Sequence, residues 1–446
     1  MLLIKNLNFL KVAGCMFFIF IIPPVYAKYF DIHNNIYTIS SLPDSNIESH
    51  RMDSMKLSDQ QPTGKYLLAD ETLTIKVEGV NKNQNLSVMI GFRPMFGVDL
   101  DQQEIRLSNG VSTIKSNQDG PIFLRLTSLD DINILNNFVK IQFYGGRNLP
   151  FFIQGESTLS DWHSELANYK NAPYVQLLSQ RAMITLPRAV YNNYPIKDPS
   201  KTLIMINKVI QMQDELAGFD NKTPKDRSSP LRHHFIVDFR TQQQDKFYMY
   251  ASNEFIGMQF YNTKDLTEPY KLSTEWAIWH EIGHTYQQRS WTWDSLTEIS
   301  VNLFSLYVQE KMGQPSRLSE KDENGFSMRD KSMTYRSLPI KNYLHESEDE
   351  DELFIKLVMF EEIKNAYGWF VFSELFKRIR ALPLTDSVDE QLKVDTFIIN
   401  ICKITGDDLR EYFYSWGLYA STTANLYIAN LKLKPAGKLH EIYFNN

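Results

Sequence analysis

Two histidines four apart with a glutamate between them, His280-Glu281-Ile282-Gly283-His284, are the residues in this sequence best placed to do chemistry. On an α-helix, residues four apart share a face, with Cβ atoms roughly 5–6 Å apart, which suits two corners of a zinc tetrahedron. Glu281 then lies beside the water that such an ion activates and can take its proton. The chemistry implied is hydrolysis assisted by one catalytic Zn2+. A catalytic zinc needs a third protein ligand and an open fourth position. The extended pattern HExxHxxGxxH is excluded, because Gln287 and Ser290 stand where it requires Gly and His. Glu298, in DSLTEISVNLFSLYVQE, is the candidate third ligand, with Asp294 as the substitute. The competing use of Glu298 is a capping box with Ser295. Asn302, one turn later on the same side, is placed to orient a zinc-binding imidazole or Glu298 itself.

These residues need two helices to position them. In STEWAIWHEIGHTYQQ, Ser273 is the expected N-cap, and Trp276, Trp279, His280, Gly283, His284 and Gln287 recur at helical spacing on one face. The second helix has Leu296, Ile299, Leu303 and Leu306 as its apolar stripe and Gly313 with Pro315 as its stop. The oxyanion of a tetrahedral intermediate needs a further donor, and Tyr286, Tyr307 and His345 are the candidates. Trp291 and Trp293, between the two helices, are either a platform for a sugar face or core aromatics. The stretch FYMYASNEFIGMQFY is a candidate sheet edge on which an extended peptide is held through its main chain. The acidic run His345–Glu352 lacks a calcium loop and reads as a helix N-terminus.

The segments HEIGHTYQ and TEISVNLFSLYV resemble the enhancin family of zinc metallopeptidases, whose pattern is HExxH, a later Glu, and an Asn-Leu-Phe-Ser-Leu-Tyr-like run. PTGKY (Pro62–Tyr66) and NAPYVQLLSQRAMITLP (Asn171–Pro187) are similar to other parts of that family, so the likeness covers roughly residues 60–420. The resemblance implies that His280, His284 and Glu298 hold the zinc and that Glu281 is the catalytic base. It also implies an N-terminal β domain, a thermolysin-like (gluzincin) core with a helical C-terminal part, and mucins or other O-glycosylated proteins as substrates. Two rivals are a peptidase of the same core acting on non-glycosylated proteins and an inactive carbohydrate-binding or adhesion protein. The intact Glu281 argues against the second, since a binder needs no base beside the metal.

The chain has 446 residues, 43% of them apolar, and a net charge of −6 without a Lys/Arg run, which removes the electrostatic footprint of a nucleic-acid binder. Residues 1–27 read as a secretory signal peptide: Lys5 and Lys11, an apolar stretch from Val12 to Ile22, and Val25-Tyr26-Ala27 as cleavage site. A retained membrane anchor is the rival, but Pro23-Pro24 interrupts the apolar run short of a bilayer's thickness. The expectation is a secreted or cell-surface protein, with no stable membrane insertion once the signal is cleaved, and a monomer. With only Cys15 and Cys402, no disulfide is expected within the mature chain.

The fold class expected is α+β. Residues 28–61 are polar and aperiodic, as a linker or arm would be. Residues 62–158 alternate with period two in TLTIKVEG, LSVMI, PIFLRL and FVKIQF, which predicts an antiparallel β-sandwich. The catalytic domain spans 159–346, with strands at RAMITLP, HFIVDFR and FYMYA and a helix over KTLIMINKVIQMQDELAG, stopped at Gly218. A helical subdomain covers 347–446.

Overall fold

The computed structural model describes residues 30–31, 35–91, 102–128, 138–238, 248–382, 389–437 and 439, so the expected signal peptide with Cys15 lies outside the described residues. The fold is α+β, with antiparallel sheets at the N-terminal end and helices at the C-terminal end.

The alternating segments form two facing sheets. One has the spatial order Phe30–Asp31, Ile36–Ser40, Phe138–Tyr144, Thr72–Glu78, Gly110–Lys115. The other runs Arg147–Asn148, Gln60–Leu67, Gly120–Ser128, Gln84–Ile90, Gln103–Leu107. Neighbours in both lists pair antiparallel. Period-two alternation sends Leu73, Ile75 and Val77 of the first sheet and Val88, Leu124 and Leu126 of the second into one shared core.

The expectation of a linker over 28–61 is corrected. Residues 36–40 are a strand whose Tyr37 and Ile39 are buried in that core, and Ser45–Met52 is a helix. The polar texture is cap chemistry. Asp44 accepts hydrogen bonds from the N–H groups of Asn46 and Ile47 at the helix start, and Asp53 closes the helix in the left-handed region at φ 60°. Met52 and Leu57 join the core of the catalytic part.

A third, mixed sheet carries the site. Its order is Phe151–Ile153, Tyr174–Leu178, Ala182–Pro187, His233–Val237, Phe255–Met258, Met249–Ser252. The last strand is an edge and runs antiparallel to its neighbour, with Ala251 opposite Ile256. The helix Pro199–Leu216 packs over this sheet and is followed by Gly218 at φ 70°, as the sequence predicts. One apolar core joins this sheet, the helix bearing the histidines and the C-terminal helices Glu350–Tyr367, Phe370–Ala381 and Glu390–Thr405. The division expected at 346/347 therefore falls inside a single core. Cys402 is a buried free thiol whose pKa burial pushes up to about 12.

Candidate metal centre

The motif helix spans Trp276–His284 and starts at Glu275, not Ser273. Pro269 opens a separate turn over Pro269–Leu272, and the Ser273 hydroxyl is spent on the Tyr270 carbonyl at its end. Ile278, Trp279 and Ile282 bury the inner face, while His280 and His284 turn toward a cavity of about 700 Å³. The second helix is continuous in backbone conformation from Thr297 through Lys311, with Val301 at φ −56°, ψ −36°. Gly283 lets the two helices touch: a Cβ there would meet Val301 O, Val301 Cγ2 and Phe304 Cβ, each at 3.1 Å.

That contact brings Glu298 to the histidines. Glu298 Oε2 lies 3.1 Å from His280 Nε2 and 3.7 Å from His284 Nε2, and the two Nε2 atoms are 3.0 Å apart. These three are the group of potential ligands that converges among the described residues. The capping box with Ser295 does not form, since the Glu298 carboxylate is used here and the Ser295 hydroxyl has no partner. Asp294 is exposed, and its N–H is held by Glu390.

The hydrogen bonds behind the imidazoles fix their tautomers. Asn302 Oδ1 accepts from the Trp276 indole N–H at 2.9 Å, which identifies it as the oxygen, so His280 Nδ1, 2.8 Å away, donates to it. Asn302 Nδ2 donates to the Glu298 carbonyl. Gln287 Nε2 donates to the Thr297 carbonyl and to Ser300, so its Oε1 accepts from His284 Nδ1 at 2.7 Å. Both Nε2 atoms are therefore left with lone pairs aimed at one point beside a carboxylate. Three acceptors converging at 3.0–3.7 Å repel one another unless a cation sits among them. A tetrahedral zinc with bonds near 2.0–2.1 Å needs donors about 3.3 Å apart, so the donor set and its spacing fit zinc.

Without the ion a proton competes for the same place. Burial opposes charge on His280, but its bond to Glu298 and the charges of Glu281 and Glu298 hold its pKa above the ordinary value. Burial and the charge of His280 push His284 down to about 4. Burial pushes Glu281 up to about 7, with the Glu298 charge adding and His280 opposing. Glu281 is 6% exposed, its Oε2 has no hydrogen-bond partner, and the Ala251 N–H on the edge strand bonds its carboxylate.

The other candidates do not reach the cavity. Tyr286 is buried behind the motif helix, where its hydroxyl donates to Asp214, itself paired with Arg181. Tyr307 bonds Glu215 and packs edge-on against Trp369. His345 is exposed, and its carbonyl accepts from Lys356. Trp291 and Trp293 are each 1% exposed and pack on Phe397, so they are core aromatics. The acidic run caps the helix Glu350–Tyr367 through Asp349, and its acids pair with Arg317, Lys331 and Lys356. Sequence reasoning missed Gln287 as the partner of His284, although its type and place three residues on were the signal. It also missed Met55, Arg289 and Lys393, which line the cavity from three separate places in the chain, beside Tyr250 and Asn253 of the stretch expected as a sheet edge.

The accessory colonization factor AcfD of Vibrio cholerae is 26% identical over 196 residues, 41% of this chain and 12% of that protein. The chain spans less than a third of the length of each curated relative it matches. The crystal structure of a conserved protein of unknown function from Bacillus anthracis superposes with a TM-score of 0.78 at 26% identity, covering 90% of this chain and 79% of that one. The M60 catalytic domain of Clostridium perfringens ZmpC in complex with the sialyl T antigen has a TM-score of 0.71 at 16% identity, over 91% and 81%, and shares the fold. The model of the family described as peptidase M60, enhancin and enhancin-like, matches residues 145–417, more than half of the chain, and the protein belongs to that family of metallopeptidases.

Proposed function

We propose that the protein is an exported, zinc-dependent endopeptidase that cleaves mucin-like or other O-glycosylated proteins, with Glu281 as its general base. The observation that carries the reading is the convergence of His280 Nε2, His284 Nε2 and Glu298 Oε2 beside the unpartnered Oε2 of Glu281. Zinc bound there supplies a Lewis acid and makes a water nucleophilic near neutral pH. Glu281 accepts the proton of the attacking water and passes it to the leaving amine, a role open to a buried carboxylate with one oxygen unpartnered. Asn302 and Gln287 keep both imidazoles in the ligating tautomer. The edge strand Met249–Ser252, which lines the same cavity as Glu298, offers its main chain to an extended substrate. The glycosylated substrate class is supported by the sialyl T antigen held by the structural neighbour ZmpC. Export is supported by the leader-like residues 1–27.

The test is mass-spectrometric mapping of products from a mucin-type glycoprotein and from the same protein enzymatically stripped of glycans. Cleavage beside glycosylated Ser/Thr, with about one zinc per chain and a loss of about 10²–10⁴ in rate in Glu281→Ala with zinc retained, is the expected result. Cleavage of the stripped protein alone would reassign the substrate. Full activity of Glu281→Ala would end the mechanism.

A further inference from the structure

We infer that the cavity holding the metal ligands contains a carboxylate-binding subsite built on Arg289 and Lys393, so that the preferred substrate carries an anionic group near the scissile bond. The inference rests on the peptidase reading above for what enters the cavity. Arg289 and Lys393 both line this cavity, beside Glu281 and Glu298.

Arg289 lines the cavity while paired with Asp53 only at long range. Its main chain is fixed, with its N–H on the Asp53 carbonyl at 2.9 Å and the next N–H, of Ser290, on Asp53 Oδ2 at 3.0 Å. Its side chain is 50% exposed, and its contacts are long: Nη1 to Ser49 Oγ at 3.4 Å, Nη2 to the Ser49 carbonyl at 3.3 Å, and Nε to Asp53 Oδ1 at 3.7 Å. A guanidinium has five N–H donors in a planar fork that matches a carboxylate in bidentate fashion, and these contacts leave that capacity largely unspent. Lys393 lines the same cavity and is ion-paired with Glu390 at 2.8 Å. The carboxylates of Glu281 and Glu298 in the same cavity are committed to proton transfer and to the metal.

The segment 53–56 makes this end of the cavity rigid by tying its two walls together. Asp53 holds the loop after the motif helix, while Lys56 N–H bonds Asn253 Oδ1 at 3.1 Å and its carbonyl accepts from Glu254 N–H at 2.8 Å in the turn beyond the edge strand. Met55 lies between these ties on the cavity wall. The result is a fixed pocket end with an apolar thioether and a forked cation, fitted to a carboxylate. Two sources supply that chemistry: an acidic residue of the peptide, or the carboxylate of a sialic acid on its glycan.

Binding decides the matter without turnover. In the zinc-loaded Glu281→Ala protein, calorimetry is run with three Ser/Thr-rich glycopeptides: one with a neutral sugar, one with the same sugar sialylated, and one with a neutral sugar and an added Asp. At least one carboxylate-bearing peptide is expected to bind about tenfold tighter than the neutral one, and which one does so identifies the source. Adding Arg289→Gln should bring that ratio close to one, with Arg289→Lys restoring part of it. Equal affinities for all three peptides, no binding of any, or a ratio unchanged by Arg289→Gln overturns the subsite. Cleavage by the wild-type protein is scored separately: charge-dependent binding without cleavage removes the peptidase reading alone, and cleavage with charge-indifferent binding removes the subsite alone.

Discussion

At the scale of single residues, the amides behind the imidazoles matter almost as much as the ligands. A neutral histidine ligates through whichever nitrogen lacks the proton, and the proton goes where the other nitrogen finds an acceptor. Asn302 and Gln287 supply those acceptors at 2.8 Å and 2.7 Å. Replacing either with leucine removes the acceptor, so Gln287→Leu and Asn302→Leu should each weaken zinc binding about 10–100-fold. Competition with a chromogenic chelator measures this, and unchanged affinity would show that the tautomers are set by something else. Asn302 was legible from its spacing on the Glu298 helix. Gln287 was placed on the helix face of the two histidines, but its spacing alone did not say that its amide oxygen would accept from His284.

At the scale of elements, the site depends on how closely two helices approach and on how firmly the edge strand is held. Gly283 sits where the motif helix meets Val301 and Phe304 of the Glu298 helix. Gly283→Val would push the helices apart, cost about 1–3 kcal/mol in overpacking and move Glu298 away from both imidazoles. The expected readout is a lowered urea midpoint together with less than one zinc per chain. A stable variant with full zinc content would show that the helices can give way. The edge strand is braced from the β domain. Glu254, in the turn after it at φ 75°, pairs with Arg125 at 3.1 Å, and Arg125 also pairs with the nearly inaccessible Asp59 at 2.6 Å. Burial pushes Asp59 up to about 6, with Arg125 opposing and Glu254 adding. Arg125→Ala strands these carboxyls and should cost about 3 kcal/mol, most of it above pH 6, where Asp59 would have to stay charged. Equal losses at pH 5 and pH 7.5, measured by urea unfolding, would show that the cluster is not an electrostatic brace.

At the scale of the whole molecule, two histidines packed at the start of one strand make stability depend on pH. His233 and His234 are buried, donor or acceptor to Thr285 and Thr185 at 2.9 Å and 3.0 Å, and burial pushes both pKa values down to about 3. Below the ordinary value near 6.5 the unfolded chain takes up two protons that the folded chain refuses. These groups therefore contribute fully above pH 6.5, and the contribution is lost as pH falls toward 3. The raised carboxyls Asp59 and Glu362, at about 6 and about 7, oppose this slope while they titrate. The clean comparison is thus between variants: His234→Gln should make stability less dependent on pH between 6 and 4 by about 1.4 kcal/mol per unit. Identical slopes for variant and parent would place the acid sensitivity elsewhere. The sequence by itself determined the features that depend on local spacing. Imidazoles four apart, the period-two strands of the sandwich and the helix stop at Gly218 follow from backbone repeat and side-chain size within a few residues. Only the tertiary structure decided what depends on contacts distant along the chain. Trp291, Trp293 and Tyr286 turned inward because the C-terminal helices and the Arg181–Asp214 pair lay behind them, and the polar segment before residue 61 became part of the cavity wall. A polar or aromatic side chain is chemically the same in core, cap or cleft, and which of these it occupies is fixed by what packs against it.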